Sequence, residues 1–586
     1  MQPVPKLWTA ALLVTSGLFG CAGGPEELQV PTDLTDNLPI ALEHNGPAVA
    51  PGGVTDASLA ARKGAARFVP ELFARFDRDR AMGIAAFVDK EYREPASDGY
   101  ERVVDRLVAD LYAAGFGAEA GYGLDLRKSS LPDPSWTPLS AVIEFVRVDA
   151  RGAPIQNLNV VSVDGTAAAA RVIQPANAPG CELVGAIADG IDALTTPGMV
   201  LLTDQPIRSV ELDALARGAA AVISTYLPSY CVDPTGRERH LEAIFHGDVR
   251  PGTELPSFYV SPKVGDAIRN TARVGGHVRL VASARFAVRP LRTVVATIAG
   301  AERPDEAVHL LSHIDGAGAN DNASGVGAMV EGALLLKRLI DQRLLPRPRR
   351  TLAFVFGQVA RAGGAAIKAA PGPVVAAIVA DMLGASAAET GAVCLLERGW
   401  DPAAIAPLPP DRHTALGPGN VAEGDLFGTG LSIVMRQALI DVAAFEASRG
   451  GVRAPWLTRE HPWEGGRDQD AYLAQGIAAC RLWHFTDFAH ATSLDRMAMV
   501  DPDELRRTAV AAMAGALTVA DGQPSDLARH LASLNLERQM RLDAVVSADA
   551  GDAAIEAWKT WFDQARFWLQ SVCLGEPLPA VERAAQ

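Results

Sequence analysis

The chain has 586 residues, of which 48% are apolar and 21% charged. That composition belongs to a globular protein with a large core, divided over two or three domains, and excludes wholesale disorder. Its formal net charge of −15 argues against nucleic acid as a partner, since such binding rests on neutralising phosphates.

Residues 1–20 read as an export signal. Lys6 supplies the positive start, and the largely apolar run from Leu7 to Phe19 is too short to span a bilayer. The segment Leu18-Phe19-Gly20-Cys21 resembles the bacterial lipobox, with Phe19 in place of the usual small residue. The resemblance implies diacylglyceryl modification of Cys21, export and a lipid-anchored place in the bacterial cell envelope. Ala22 lacks the acidic residue that retains lipoproteins in the inner membrane, which favours the outer one. An ordinary cleaved signal is the alternative. The remaining cysteines are scattered without a CxxC pair, so no thiolate zinc site is indicated. Cys181 and Cys231 are the pair that an oxidising compartment would favour.

Residues 21–56, rich in Gly, Pro, Asp and Asn, read as a linker. Residues 57–135 begin in a helical pattern: the stretch Tyr100 to Tyr112 places its apolar residues on one face, and Gly115 can stop it. Residues 136–286 change to short β-rich runs, among them Asn159 to Val163, Met199 to Asp204 and Ala219 to Ser224. Gly218-Ala219-Ala220-Ala221-Val222-Ile223 and Pro256-Ser257-Phe258-Tyr259-Val260-Ser261 resemble the protease-associated domain, a module that usually serves as a lid or access element.

Residues 287–521 alternate strands and helices. Thr293 to Ile298, Val308 to Ser312, Thr351 to Phe356 and Val374 to Val379 read as strands, and Gly325 to Ile340 as a helix. The fold class is therefore α/β, a mixed sheet with helices on both faces and an inserted β-rich domain. Residues 522–586 form a helical tail whose Trp558, Trp561, Phe562, Phe567 and Trp568 recur at helical spacing as a packing stripe.

The segment from Leu311 to Gly327 carries the chemistry. His313 ends a strand, Asp315 follows two residues later, and Gly318-Ala319-Asn320-Asp321-Asn322-Ala323-Ser324-Gly325 opens a helix. Imidazole and carboxylate are good zinc ligands, and Asp315 could hold the second ring nitrogen of His313. Here the chain closely resembles the zinc aminopeptidases typified by bacterial leucyl aminopeptidase, whose relatives include glutamate carboxypeptidase II. The resemblance spans roughly residues 290–520 and implies a zinc-dependent exopeptidase fold. In that family two zinc ions share a bridging Asp. One ion is also held by a His and a second Asp, the other by a Glu and a later His, and a neighbouring Glu is the general base.

On this resemblance His313, Asp321 and Asp381 complete the first half-site, the last of them in Asp381-Met382-Leu383-Gly384. The second half departs from the pattern. The acidic pair after the strand ending at Phe356 is replaced by Gln358-Val359-Ala360, with Val359 or Gln358 at the place of the base, and no Asp or Glu occurs from Gln342 to Ala380. In the last motif, Thr492 and Asp495 anchor an alignment that puts Ala491 at the ligand, while a slip of one residue restores His490. Gly466-Arg467-Asp468-Gln469 replaces the family's Gly-Ser-Asp-His.

The expectation is a catalytically impaired, lipid-anchored relative with at most one zinc, binding a peptide or protein partner in the former cleft. Two alternatives stand beside it. One is an active exopeptidase using displaced groups such as His490, Glu389 or Asp470; the other is a structural envelope lipoprotein. His309, His413, His461 and His484 read as packing, loop or hydrogen-bonded residues rather than ligands.

Overall fold

Two eight-stranded mixed sheets organise the chain. They are seen in a computed structural model that describes residues 62–148, 154–163, 172–233, 238–408, 411–449 and 456–577. The expected export signal, Cys21 and the linker lie outside the described residues.

The larger sheet runs in the order Tyr122–Ser129, Leu291–Ile298, Arg350–Gly357, Arg303–His313, Val374–Ala380, Ala478–Phe485, Val393–Glu397 and Thr458–His461. The four strands from Arg350–Gly357 to Ala478–Phe485 in that order are mutually parallel. All four are buried along their length toward the site, which is why they read as near-continuous apolar runs. His313 is paired with Gly357, Leu311 with Val379 and Ala380 with Leu482, so the carboxyl ends of these strands lie level. Open α/β sheets place ligands at that edge.

Helices cover both faces, as the alternation of elements indicates. Ala323–Asp341, Leu431–Ser448 and Pro502–Ala520 pack on one side with the N-terminal helices. The short helix Ala362–Ala369 and Tyr472 pack on the other. The helix Asp98–Ala113 is capped by Ser97, whose Oγ accepts from the Tyr100 amide. The chain turns beyond it at Gly115, which has a positive φ of 100°.

The smaller sheet is built from residues between Ser135 and Ala287, in the order Pro154–Val163, Ser135–Val148, His277–Ala287, Cys181–Asp189, Val200–Thr203, Ala221–Ser224, Ser257–Val260 and Val172–Ile173. It has its own apolar cores. Cys181 and Cys231 both carry free thiols.

The C-terminal tail is the helix pair Pro524–Ser547 and Asp552–Leu574. Trp558, Trp561, Phe562 and Trp568 are buried as a packing stripe, but Phe567 is 44% exposed. It lies next to Trp568, one residue round the helix, and so leaves the buried face. No helix of the described residues is long and apolar enough to cross a membrane.

Candidate metal centre

The site forms where the loops leaving the level strand ends converge. His313 is the last residue of its strand, and Asp381 directly follows Val374–Ala380. The loop between His313 and the helix starting at Ala323 doubles back to deliver Asp321. Much of this loop is held by buried polar groups. Asn322 caps the helix, its Oδ1 accepting from the Gly325 and Met382 amides at 3.1 and 2.9 Å, while its Nδ2 donates to Ser312 Oγ and the Ala380 carbonyl. Asp495 accepts the Asn320 and Asp321 amides at 2.7 and 2.9 Å. Fully buried Arg93 donates to the carbonyls of Ile314 and Gly318. A Cβ on Gly318 would lie 2.0 Å from Asp495 Oδ2, so only glycine allows that approach.

Three ligand atoms meet. His313 Nε2 lies 3.2 Å from Asp321 Oδ1 and 3.2 Å from Asp381 Oδ1, and the trio lies within 4.8 Å of one another. His313 Nδ1 faces the main-chain carbonyl of Asp315 at 3.0 Å. A carbonyl only accepts, so Nδ1 carries the hydrogen and neutral His313 turns a lone pair toward the two carboxylates. Three acceptors facing one another require a cation or a proton between them. Burial pushes the His313 imidazolium down, yet Asp381, Asp315 and Asp321 outweigh it and hold its pKa well above the ordinary histidine value. Burial raises Asp321 as well, but His313 and His490 hold it far below the usual carboxylate range. Asp381 behaves likewise, lowered against burial by His313 and Arg481. This donor set fits one zinc ion: two carboxylates and a neutral imidazole balance its charge.

The orienting role read for Asp315 changes form. Its carboxylate stays 3.5 Å from Nδ1 and instead accepts the Val359 amide at 2.8 Å; the ring is held by its main-chain carbonyl.

The second half-site retains its imidazole. His490 Nε2 lies 3.2 Å from Asp321 Oδ2, so the structure brings His490 to this side of Asp321. Ala491, next in the chain, adopts a left-handed turn at φ 56°. No carboxylate joins them from the loop after Gly357. Val359 and Ala360 hold their place through backbone bonds to Asp315 and Asp468, with Ala360 at φ 65°. The donors that meet on this side are Asp321 Oδ2 and His490 Nε2. Of the proposed substitutes, Glu389 is exposed on the short helix Ala387–Thr390. Asp470 accepts from the Trp463 indole and the Gly466 and Arg467 amides. Gln358 turns an unpartnered Oε1 inward.

Other residues complete the surroundings. Arg481, fully buried, donates to Asp381 Oδ2 at 3.2 Å and to Glu397 Oε2, and stacks on Trp483 at 3.7 Å. Its signal was a lone charge inside the apolar run Ala478 to Phe485. Asp468 is 1% exposed; its Oδ1 accepts the Ala360 amide at 3.1 Å, and burial, with Asp315 and Asp381 nearby, pushes its carboxyl up to about 7. Tyr230, from the smaller domain, meets His490 Nδ1 at 2.9 Å, a contact across 260 residues with no local signature.

The other histidines have partners of their own. His309 meets the Tyr472 hydroxyl, and His461 bonds to the Pro462 carbonyl and the Trp483 indole. His484 bridges the Met382 carbonyl and Glu504; with Cys394 these form a second ligand-type group, but its ring is already satisfied at both nitrogens. His413 is the exception: it is half-buried, with Nδ1 3.6 Å from Glu464 Oε1 and no hydrogen bond at either ring nitrogen among the described residues.

The family model for Peptidase family M28 matches residues 293–358. The fold is shared with the Peptidase M28 precursor from Shewanella amazonensis SB2B, at 16% identity and a TM-score of 0.51, over 78% of this chain and 97% of that one. The zinc aminopeptidase BSAP from Bacillus subtilis aligns over 76% of this chain and 94% of its own at 12% identity and a TM-score of 0.48. The aminopeptidase from Aneurinibacillus sp. strain AM-1 aligns over 77% and 95% at 15% identity and 0.44. No curated protein matches the chain.

Proposed function

We propose that this relative of the M28 zinc aminopeptidases keeps one metal half-site, has lost the hydrolytic base, and uses its cleft to hold a peptide or protein without cleaving it. The observation that carries this reading is the contrast at Asp321. Its Oδ1 converges with His313 and Asp381, whereas its Oδ2 faces His490 Nε2 and the loop after Gly357 carries Val359 and Ala360 where the resemblance calls for a metal ligand and a base.

Zinc held by His313, Asp321 and Asp381 would supply Lewis acidity toward a carbonyl oxygen. The chain's own residues fix the ligands: the Asp315 carbonyl orients His313, Arg481 orients Asp381, and Asp495 and Arg93 hold the loop carrying Asp321. What is missing is a carboxylate to take the proton from attacking water, a contribution of about 10² to 10⁴ in rate. Two-metal clamping of the reacting oxygens is lost with it.

A second reading rests on Asp468. Its buried carboxyl lies against the Ala360 amide and titrates near neutrality, so it could serve as a displaced base in a one-metal hydrolase. The two readings separate in one assay: aminoacyl anilides and short peptides offered to the zinc-supplied protein. Saturable binding without turnover supports the first. Turnover that a chelator abolishes and Asp468→Asn removes supports the second.

For placement in the cell, we propose lipid anchoring through Cys21 in the bacterial envelope, with the outer membrane favoured. Membrane fractionation of Cys21→Ser tests it: the anchored protein moves to the soluble fraction, and persistence with membranes overturns the anchor.

A further inference from the structure

The two imidazoles that flank Asp321 are held in opposite ways, and the difference assigns them different roles. His313 Nδ1 faces a main-chain carbonyl, which fixes its hydrogen there and leaves Nε2 free to ligate. His490 Nδ1 faces the Tyr230 hydroxyl at 2.9 Å, and a phenol can donate. On its other side, His490 Nε2 meets Asp321 Oδ2 at 3.2 Å. The oxygen only accepts, so the nitrogen must bear a hydrogen unless a cation bridges the two. Among the described residues no third His, Cys, Asp or Glu converges with this pair to hold a cation, and Val359 and Ala360 carry no donor side chain. The tautomer with hydrogen on Nε2 satisfies every group: Tyr230 O–H donates to Nδ1, and Nε2–H donates to Asp321.

The contact is built into the docking of the smaller domain. Tyr230 packs edge-on against Phe485, with ring centroids 5.2 Å apart, and tilts over His490. Beside it the segment carrying Phe245 is bridged to the loop after His490. The His246 amide donates to the Ala491 carbonyl and the Ser493 amide to the Ile244 carbonyl, both at 2.8 Å, and Phe245 pairs with Thr492. The backbone following His490 is thus held by the inserted domain.

We infer that His490 is a positioning residue and not a metal ligand: its Nε2–H stands where a second metal would sit, and Tyr230 of the inserted domain sets it, so that docking of that domain supports the single metal held by His313, Asp321 and Asp381. This rests on the one-metal reading above. Outer hydrogen-bond partners of metal ligands change affinity by about 10- to 100-fold when removed. By linkage, metal binding steadies the inserted loop in return.

Zinc affinity measured by competition with a chromogenic chelator tests the assignment on the full folded chain. His490→Ala is expected to weaken zinc by about 10- to 100-fold with stoichiometry still near one. His490→Gln, which keeps an N–H donor, is expected to restore most of the loss. Tyr230→Phe, which keeps the ring and removes only the hydroxyl, should weaken zinc toward the lower end of that range. Zinc should slow amide exchange in residues 238–249, and ¹⁵N spectra should show His490 protonated at Nε2 in the zinc form. Wild type holding one zinc that His313→Ala abolishes, with unchanged affinity in His490→Ala and Tyr230→Phe, overturns this inference alone. Wild type holding two zincs, one of them lost in both His490→Ala and His490→Gln, makes His490 a ligand and overturns the one-metal reading with it.

Discussion

The two sides of Asp321 differ in what each has kept. On the His313 side the ligands and their supports are both present: the Asp315 carbonyl behind His313 and the Arg481–Glu397 pair behind Asp381. On the His490 side the loop after Gly357 brings no carboxylate. The loop Gln358 to Arg361 is tied to Asp315 and Asp468, and Ala360 adopts a left-handed conformation unfavourable for an L-residue. On the proposed reading, side-chain replacement alone removes the second metal site while the fold around it stays in place.

The sharpest way to break the comparison is to refill the empty side. Val359→Glu combined with Ala360→Glu is expected to raise zinc content toward two and to bring aminoacyl anilide turnover above background, restoring the proton-transfer contribution of about 10² to 10⁴. Metal analysis and initial rates read the result, and a stable double variant that stays at one zinc and inert would show that the loop no longer aims at Asp321. Next in size is the support on the intact side. Arg481→Met strands Glu397, which burial would raise but Arg481 keeps ionised. The expected loss is about 3–5 kcal/mol in denaturant unfolding.

A smaller effect concerns Asp468, whose carboxyl is raised to about 7 in the folded protein from 3.8. A raised acid binds its proton more readily when folded, so between these values the native state holds more protons and stability falls as pH rises. Asp468→Asn removes that slope. Relative to wild type it gains on the order of a few kcal/mol at pH 8 and progressively less toward pH 4, as melting curves across that range would record. A variant whose advantage does not depend on pH contradicts the assignment. The smallest effect is strain: Ala360→Gly is expected to stabilise by about 1 kcal/mol, since glycine adopts positive φ without steric penalty.

The sheet was legible because its parallel strands are apolar throughout and alternate with amphipathic helices. His313 and Asp381 are legible in short motifs at strand ends, and Asp321 in the motif that opens the following helix. His490 was ambiguous by one position, since neither spacing nor residue type shows that Ala491 turns left-handed. Arg481, Asp468 and Tyr230 gain their meaning only from partners 84 to 260 residues away. Phe567 was assigned to the core by periodicity, yet lies on the open side of its helix.

On the proposed reading, one side of Asp321 holds metal and the other does not. Zinc content of the purified, metal-equilibrated soluble chain, measured beside His313→Ala, tests it most directly. About one zinc in wild type and none in the variant is the predicted result. Two zincs in wild type would contradict the account, because the second ion would then have found ligands on the side where Val359 and Ala360 provide none.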